Sequence, residues 1–272
     1  MPNTLYLVAS PIGNLNDVSP RVKEVLNFVS FVACEDTRNT SKLLSLIGIK
    51  KPCISCHEHN EKSESEKIIN RIKNGEDVAY LSDAGYPCIS DPGFILSKLC
   101  IENNIKVVPI SGPNAALMAL IASGLDTNHF MFYGFLDAKI SKKEAEIAGF
   151  LDFPYTILLY EAPHRINETL TSLYKILGNR KIVIARELTK LYEEFIRSDL
   201  KTLCEEKREF KGELVLVLEG NSKTNNQEIN EEMILKANKL LKLGYSKKDV
   251  ASILSELFDI NKNKLYKELI KN

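Results

Sequence analysis

The chain has 272 residues, with 36 Lys and Arg against 36 Asp and Glu, so its formal net charge is zero. Hydrophobic residues make up 44% and charged residues 26%, which excludes a disordered chain and suits roughly two globular domains. Zero net charge excludes a protein that holds nucleic acid by bulk positive charge, though not one with a local basic patch. No apolar run approaches the ~18 residues of a membrane span. The N-terminus, Met1-Pro2-Asn3-Thr4-Leu5-Tyr6, lacks the basic and long apolar regions of a secretion signal, so a cytoplasmic protein is expected.

Leu5 to Ala9 is a short apolar run ending in the turn cluster Ser10-Pro11-Ile12-Gly13-Asn14. Ser19 predicts an N-cap, with Pro20 at the first helical position. Phe31 to Cys34 reads as a second strand, ending in Glu35-Asp36-Thr37-Arg38. Residues 63–74 read as a polar amphipathic helix. Val78 to Leu81 reads as a strand ending in Ser82-Asp83-Ala84-Gly85, and Phe94 to Asn103 as a helix. Val107 to Ile110 is a strand ending in Ser111-Gly112-Pro113-Asn114, followed by a helix from Ala115 to Ala122. Strands alternating with helices imply βαβ units and a mainly parallel sheet, here in a first α/β domain of residues 1–122.

A second α/β domain, residues 123–221, carries strand signals at His129 to Phe135, Thr156 to Glu161, Lys181 to Glu187 and Glu213 to Glu219. Its charged stretch Asp137 to Glu146 reads as mobile. Residues 222–272 open with linker composition and close with two helical signals. Ser246 caps the first, with Val250, Ile253, Leu254 and Leu257 on one face. Asn261 caps the second, with Leu265 and Leu269 inward, giving a small helix-turn-helix-like unit. From residue 223 on there are 10 Lys and 7 Asp and Glu, so the tail is mildly basic and the body mildly acidic. A solvated helical face and an RNA contact are both open for this tail.

The polar clusters follow the carboxyl ends of strands, the edge where open α/β sheets bind ligands. In Ser82 to Gly93, two glycines and two prolines fix an irregular backbone whose N–H groups can meet a ligand. It is neither a Walker A loop nor G-x-G-x-x-G, which disfavours a triphosphate. Asp83 can accept from ribose hydroxyls or an amino group; the plainer reading is a tight turn with Asp91 capping the next helix. With Ser111 to Asn114 opening another helix, the two loops favour a nucleoside-sized ligand. Glu35-Asp36-Thr37-Arg38 reads as a substrate contact, with Arg38 suited to a phosphate, or as a salt-bridged turn. His57 and His59, in His57-Glu58-His59-Asn60, are candidate general bases or ordinary loop histidines. Gly212 allows close ligand approach or marks a bulge. Six cysteines read as structural thiols. Cys53-Ile54-Ser55-Cys56-His57 has the C-x-x-C-H spacing of haem attachment, and with His59 a zinc reading, but there is no second C-x-x-C to close a metal site.

Ser10-Pro11-Ile12-Gly13-Asn14-Leu15, Glu35-Asp36-Thr37-Arg38, His57-Glu58-His59-Asn60 and Ser82-Asp83-Ala84-Gly85 occur in order. So do Gly134-Phe135-Leu136, Tyr160-Glu161, His164-Arg165, Ala185 to Lys190 and Lys211-Gly212-Glu213. These nine motifs resemble the ribosomal RNA small subunit methyltransferase I family of the tetrapyrrole methylase superfamily, over nearly the whole chain. The resemblance implies two α/β domains with S-adenosylmethionine in the cleft between them, a small C-terminal helical unit, and a homodimer. It implies 2′-O-methylation of a cytidine in 16S rRNA of the small subunit, with no metal and no membrane. By analogy it places the cofactor at Pro11, Asp83, Gly85, Ile89, Ser111 and Gly112, and at Asn114, Ala115, Tyr160, Arg186 and Gly212. Arg38, His57, His59 and Asn60 are the candidates for substrate positioning, and Glu35 or Asp36 for the base. Tyr86 stands where a small Thr is usual, Ser111 and Asp137 where Pro is common. Two other readings share these features: a methylase of a small tetrapyrrole, against which the C-terminal helices and the Glu35 and His57 motifs argue, and a non-catalytic RNA-binding assembly protein, against which the intact cofactor loops argue.

Overall fold

The computed structural model describes residues 3–221, 229–258, 260 and 262–271. The first sheet holds β1 (Thr4–Val8), β2 (Phe31–Cys34), β3 (Cys53–Ser55), β4 (Val78–Leu81) and β5 (Lys106–Ile110). Its order is β3-β2-β4-β1-β5, with every pairing parallel. The crossovers are α1 (Pro20–Phe28), α2 (Thr37–Leu46), α3 (Glu61–Lys73) and α4 (Phe94–Glu102), and α5 (Ala115–Ser123) follows β5. Strands β2 and β4 are buried at every residue, as a parallel sheet covered on both faces requires. Alternation divides their side chains. Val32 and Leu81 pack with Val8, Val22 and Leu26 on one face, while Phe31, Tyr80 and Leu5 pack with Ile68, Ile72 and Leu96 on the other.

The second sheet holds β6 (Phe130–Phe135), β7 (Thr156–Glu161), β8 (Lys181–Arg186), β9 (Glu194–Asp199) and β10 (Leu214–Leu218), in the order β6-β7-β10-β8-β9. β6 runs parallel to β7; all other pairings are antiparallel. Helices α6 (Ile140–Ala148), α7 (Ile166–Leu177) and α8 (Leu200–Glu206) accompany it. Ala116, Ala119 and Leu120 of α5 pack against Leu158, Val183, Ala185, Val215 and Val217. The helix that leaves the first sheet therefore joins the core of the second. Helices α9 (Glu231–Lys242), α10 (Lys247–Phe258) and α11 (Lys262–Lys271) form a separate small core around Met233, Val250, Leu254, Leu265 and Leu269.

Several expectations change. Glu35 to Arg38 is not only a turn: Asp36 is the N-cap of α2, its Oδ1 accepting the Arg38 N–H at 2.8 Å. The C-x-x-C-H stretch begins as strand β3, and Cys56 is fully buried. Burial pushes the Cys34 and Cys56 thiols up to about 12, far from the thiolate a metal needs. The Asp137 to Glu146 stretch is ordered by α6. Lys143 on that helix is fully buried, donating to Glu168 at 2.6 Å and to the Thr169 hydroxyl at 3.2 Å. Among the described residues the C-terminal unit has three helices, and Leu257 is exposed while Val250 and Leu254 point inward. Ser246 does cap α10, accepting the Asp249 N–H. Asn261 and the linker residues 222–227 lie outside the described residues.

Asp91 does not cap α4. The N-cap position of that helix is Gly93, in the left-handed region at φ +118°, and the donors there meet a side chain from α3. Glu61 Oε1 accepts the N–H groups of Gly93, Ile95 and Leu96 at 2.9, 2.8 and 3.2 Å. An anion there also meets the positive end of the helix dipole. Glu61→Ala strands these donors in a site where the side chain is 5% exposed. The urea midpoint should fall by the equivalent of about 2 kcal/mol, with Glu61→Gln losing about half as much because its amide oxygen still accepts.

Candidate active site

Three strand-end loops of the first sheet are fastened to one another. The Ser10 N–H donates to Gly85 O at 2.8 Å and the Gly85 N–H returns to Ser10 O at 3.1 Å. The Ser10 hydroxyl donates to Ser82 O at 2.8 Å. The Tyr86 hydroxyl accepts the Gly112 N–H at 2.9 Å, and Asn114 caps α5 by accepting the Leu117 N–H at 2.9 Å. Facing them, the β8–β9 and β10 entry loops of the second sheet are held by ions: Lys190 pairs with Glu187 at 2.9 Å and with Glu213 at 2.8 Å. Gly212 sits there at φ +83°, where a Cβ would run into the Glu187 carboxylate.

Between these loops lies a cavity of about 350 Å³, inside the ~300–1,000 Å³ range of small-molecule sites. Ile12, Gly85, Tyr86, Ile89 and Asp91 form one wall, with Asn114 and Ala115 at its floor. Tyr160, Glu161, Leu188, Gly212 and Val215 form the other.

The structure brings six of the residues assigned to the cofactor by analogy, Gly85, Ile89, Asn114, Ala115, Tyr160 and Gly212, onto this cavity. Pro11, Ser111 and Gly112 stand in the same loops, beside the lining residues. Asp83 is exposed and accepts the Asn39 amide at 2.7 Å. Arg186 turns to Lys211 O at 2.9 Å and to Glu194 at 3.1 Å. None of Glu35, Asp36, Arg38, His57, His59 and Asn60 lines the cavity. They gather beside it, because Cys34 pairs with both Leu81 and Ser55 across the parallel ladder.

Glu35 is raised by burial first and by Asp83 next, with His57 opposing. Asp36 is pulled down to about 2, chiefly by its hydrogen bond from the Arg38 side chain, whose exposure is 89%. The Asn60 amide closes its own loop, accepting the His57 N–H at 2.8 Å and donating to Ser55 O at 3.2 Å. His59 is exposed, edge-on to the His57 ring at 5.9 Å.

Two acids on the cavity wall were not singled out as functional residues from sequence. Glu161 is 3% exposed, accepts the Thr169 hydroxyl at 2.5 Å and the Ala162 N–H at 2.7 Å, and pairs with Arg165 at 3.1 Å. Asp91 is pushed up to about 6, by burial first, then by the charge of Glu35, with Asp83 adding and the Ser82 hydroxyl opposing. In sequence it read as the cap of the following helix, in the Asp91-Pro92-Gly93 turn. Among the described residues, no group of three or more His, Cys, Asp or Glu is placed to hold a metal.

Residues 4–204 match the family described as Tetrapyrrole (Corrin/Porphyrin) Methylases. The chain is 41% identical to the ribosomal RNA small subunit methyltransferase I of Haemophilus influenzae, over 96% of this chain and 94% of that protein. It is 46% identical to the Bacillus subtilis protein of the same name, over 84% of this chain and 78% of that one. The chain belongs to the ribosomal RNA small subunit methyltransferase I family. The fold agrees. The structure of uroporphyrin-III C-methyltransferase from Thermus thermophilus, complexed with S-adenosyl homocysteine, superposes with a TM-score of 0.56 at 15% identity, over 80% of this chain and 97% of that chain.

The chain is thus a methyltransferase, and S-adenosylmethionine is the cofactor of its family. The cavity fits that molecule chemically. Ile12, Ile89, Leu188 and Val215 offer apolar walls for an adenosine, Asn114 adds a polar contact, and the carboxylates suit a cationic ligand.

The raised Asp91 has a signed consequence for stability. The folded protein holds this proton up to about pH 6, whereas an unfolded aspartate releases it near its usual 3.8. Between those values the native state binds more protons, so the Asp91 contribution to stability falls as pH rises and is fully lost above about 6. Asp91→Asn should therefore gain stability over wild type as pH rises through that window and keep the gain at neutral pH. Urea midpoints at acid and neutral pH check this.

Proposed function

We propose that this methyltransferase transfers the methyl group of S-adenosylmethionine to the ribose 2′-hydroxyl of a cytidine in 16S rRNA of the small ribosomal subunit. The observation that carries this reading is the cavity between the strand-end loops of two sheets, in a chain aligned nearly end to end with enzymes named for small-subunit rRNA. Bound S-adenosylmethionine supplies an electrophilic methyl group on a positively charged sulfur. The chain's residues align, shield and deprotonate. Gly85, Ile89, Asn114, Ala115, Tyr160 and Gly212 hold the cofactor directly. Pro11, Asp83, Ser111, Gly112 and Arg186 shape the loops behind them.

On the substrate side, Arg38 and His59 are the groups open to solvent, and Arg38 suits a backbone phosphate. His57 and Asn60 hold the loop that presents His59. Asp36 holds both the Arg38 N–H and its guanidinium. A small-tetrapyrrole substrate leaves this cationic rim without a task. We assign residues 1–122 and 123–221 as the two catalytic domains and 222–272 as an appended helical unit. An rRNA substrate places the enzyme in the cytoplasm.

Small subunits from a strain lacking this enzyme, incubated with labelled S-adenosylmethionine and digested to nucleosides, should yield 2′-O-methylcytidine as the labelled product. A label on a base, or none, would overturn the reading. Arg38→Glu should weaken subunit binding about tenfold and lower its salt slope by about one, while calorimetry shows unchanged cofactor binding.

We also propose a second copy of this chain as partner. Ile121 is 76% exposed and Leu117 46% on α5, with Phe94 and Ile101 outward on α4 at 64% and 63%. Such apolar exposure suits a homodimer contact. Sedimentation of wild type should give a dimer, and Ile121→Glu with Leu117→Glu a monomer.

A further inference from the structure

Among the described residues no large apolar side chain is more exposed than Leu191, at 88%, and Tyr192 beside it stands at 68%. Both lie on the loop between β8 and β9, and the loop is firmly built. The Thr189 N–H donates to Glu193 Oε2 at 2.7 Å, the Lys190 N–H to Glu187 O at 3.0 Å and the Glu193 N–H to Lys190 O at 3.2 Å. Glu187 and Thr189 hold left-handed backbone at φ +52° and +66°, which costs energy in residues other than glycine. A fixed loop thus presents an aliphatic and an aromatic side chain to water.

Arg186 places this tip at the mouth of the cavity. Its Nη1 donates to Tyr192 O at 3.4 Å and its Nε to Lys211 O at 2.9 Å, so it joins the tip to the entry of β10. Leu188 and Gly212, on the two joined segments, line the cavity. The carboxylates beside the tip are engaged: Glu194 takes Arg186 and Arg208, Glu187 and Glu213 take Lys190, and Glu193 takes the Thr189 N–H. Lys211 is exposed and makes no ion pair among the described residues.

We propose that Tyr192 is a positioning residue for the RNA: its ring stacks on the base next to the target nucleotide, with Leu191 at the edge of that base and Lys211 on an adjoining phosphate. The inference rests on the rRNA reading. A ribose oxygen reaches a methyl group held inside the cavity once its nucleotide leaves the stack of bases. The base left behind then shows an apolar face to water. A fixed aromatic ring at the mouth covers that face, and every base has one, so the contact sets the register of the strand without selecting its sequence. A protein partner fits less well, because Lys190, Glu193 and Glu194 flank the pair and leave an apolar contact only two side chains wide.

The test is methylation of small subunits that lack the modification, with rate measured against subunit concentration. Tyr192→Ala should raise the half-saturating concentration about 5- to 100-fold. Its affinity for S-adenosylmethionine by calorimetry and its thermal midpoint should match wild type, since the side chain lies outside the core and the cavity lining. Tyr192→Phe should behave as wild type and Tyr192→Leu as the alanine variant, because stacking needs the ring face, not the hydroxyl or apolar bulk. Lys211→Gln should lower the salt slope of subunit binding by about one. A half-saturating concentration for Tyr192→Ala within about twofold of wild type would overturn the stacking role, and so would full rescue by Tyr192→Leu. A monomeric Tyr192→Ala beside a dimeric wild type, by sedimentation, would also overturn it and assign the pair to a contact between copies. Wild-type enzyme that labels no rRNA in these subunits rejects the rRNA reading itself, whatever Tyr192 does.

Discussion

The carboxylate of Glu61 sets the position of most of one cavity wall. The loop from Ser82 to Gly93 carries Gly85, Tyr86, Ile89 and Asp91, and its far end is fixed where Glu61 takes the first N–H groups of α4. A buried carboxylate is costly unless several donors surround it. Here three backbone donors converge on one oxygen, and the alternative for those donors is burial without a partner. The near end of the same loop is fixed by the Ser10–Gly85 pair. Held at both ends, the loop keeps its left-handed residues Gly85, Cys88, Ser90 and Gly93 and presents Asp91 inward.

The two sheets share a core, and that makes the cleft a fixed feature. Small residues on α5, Ala116 and Ala119, allow the helix to lie close against β7, β8 and β10, while Ile12 and Leu188 close the same cluster at the cavity. Gly13 continues this contact at the rim. A Cβ there would stand 2.5 Å from Lys190 Cγ and 2.8 Å from Thr189 Oγ1, so only glycine lets the first strand-end loop meet the β8–β9 loop. The motifs Ser10 to Asn14 and Ala185 to Lys190, far apart in sequence, are two sides of one contact.

Much of this was legible in the chain. The strands β2 and β4 are apolar throughout, and Ser19-Pro20 announces α1 through its cap. What stayed hidden depends on distant partners. Helix α2 opens on Thr37, Asn39, Thr40 and Ser41, weak helix formers, and is held by the Asp36 cap and by burying Thr40 and Leu44. Edge strand β9 carries charges along its length and pairs only with β8. Helix α6 looks like a solvated charged run until Glu168 and Thr169 of α7 enclose Lys143. The site follows the same rule. Glycines and strand-end loops pointed to Gly85, Asn114 and Gly212, whereas Glu61 and Asp91 take their meaning from residues outside their own segment.

The charge balance of 36 against 36 conceals an arrangement suited to a cation inside and a polyanion outside. Glu35, Asp83 and Asp91 lie within electrostatic reach of one another at the strand ends. Phosphate is repelled from that cluster, and a sulfonium is drawn to it. Arg38 stands beside it with its side chain in solvent and its guanidinium paired with Asp36, where a phosphate can approach without entering the cavity. For the proposed reaction this division does two things at once. It orders the reactants by sign, and the neighbours that attract the cofactor are the same ones that oppose ionisation of Asp91.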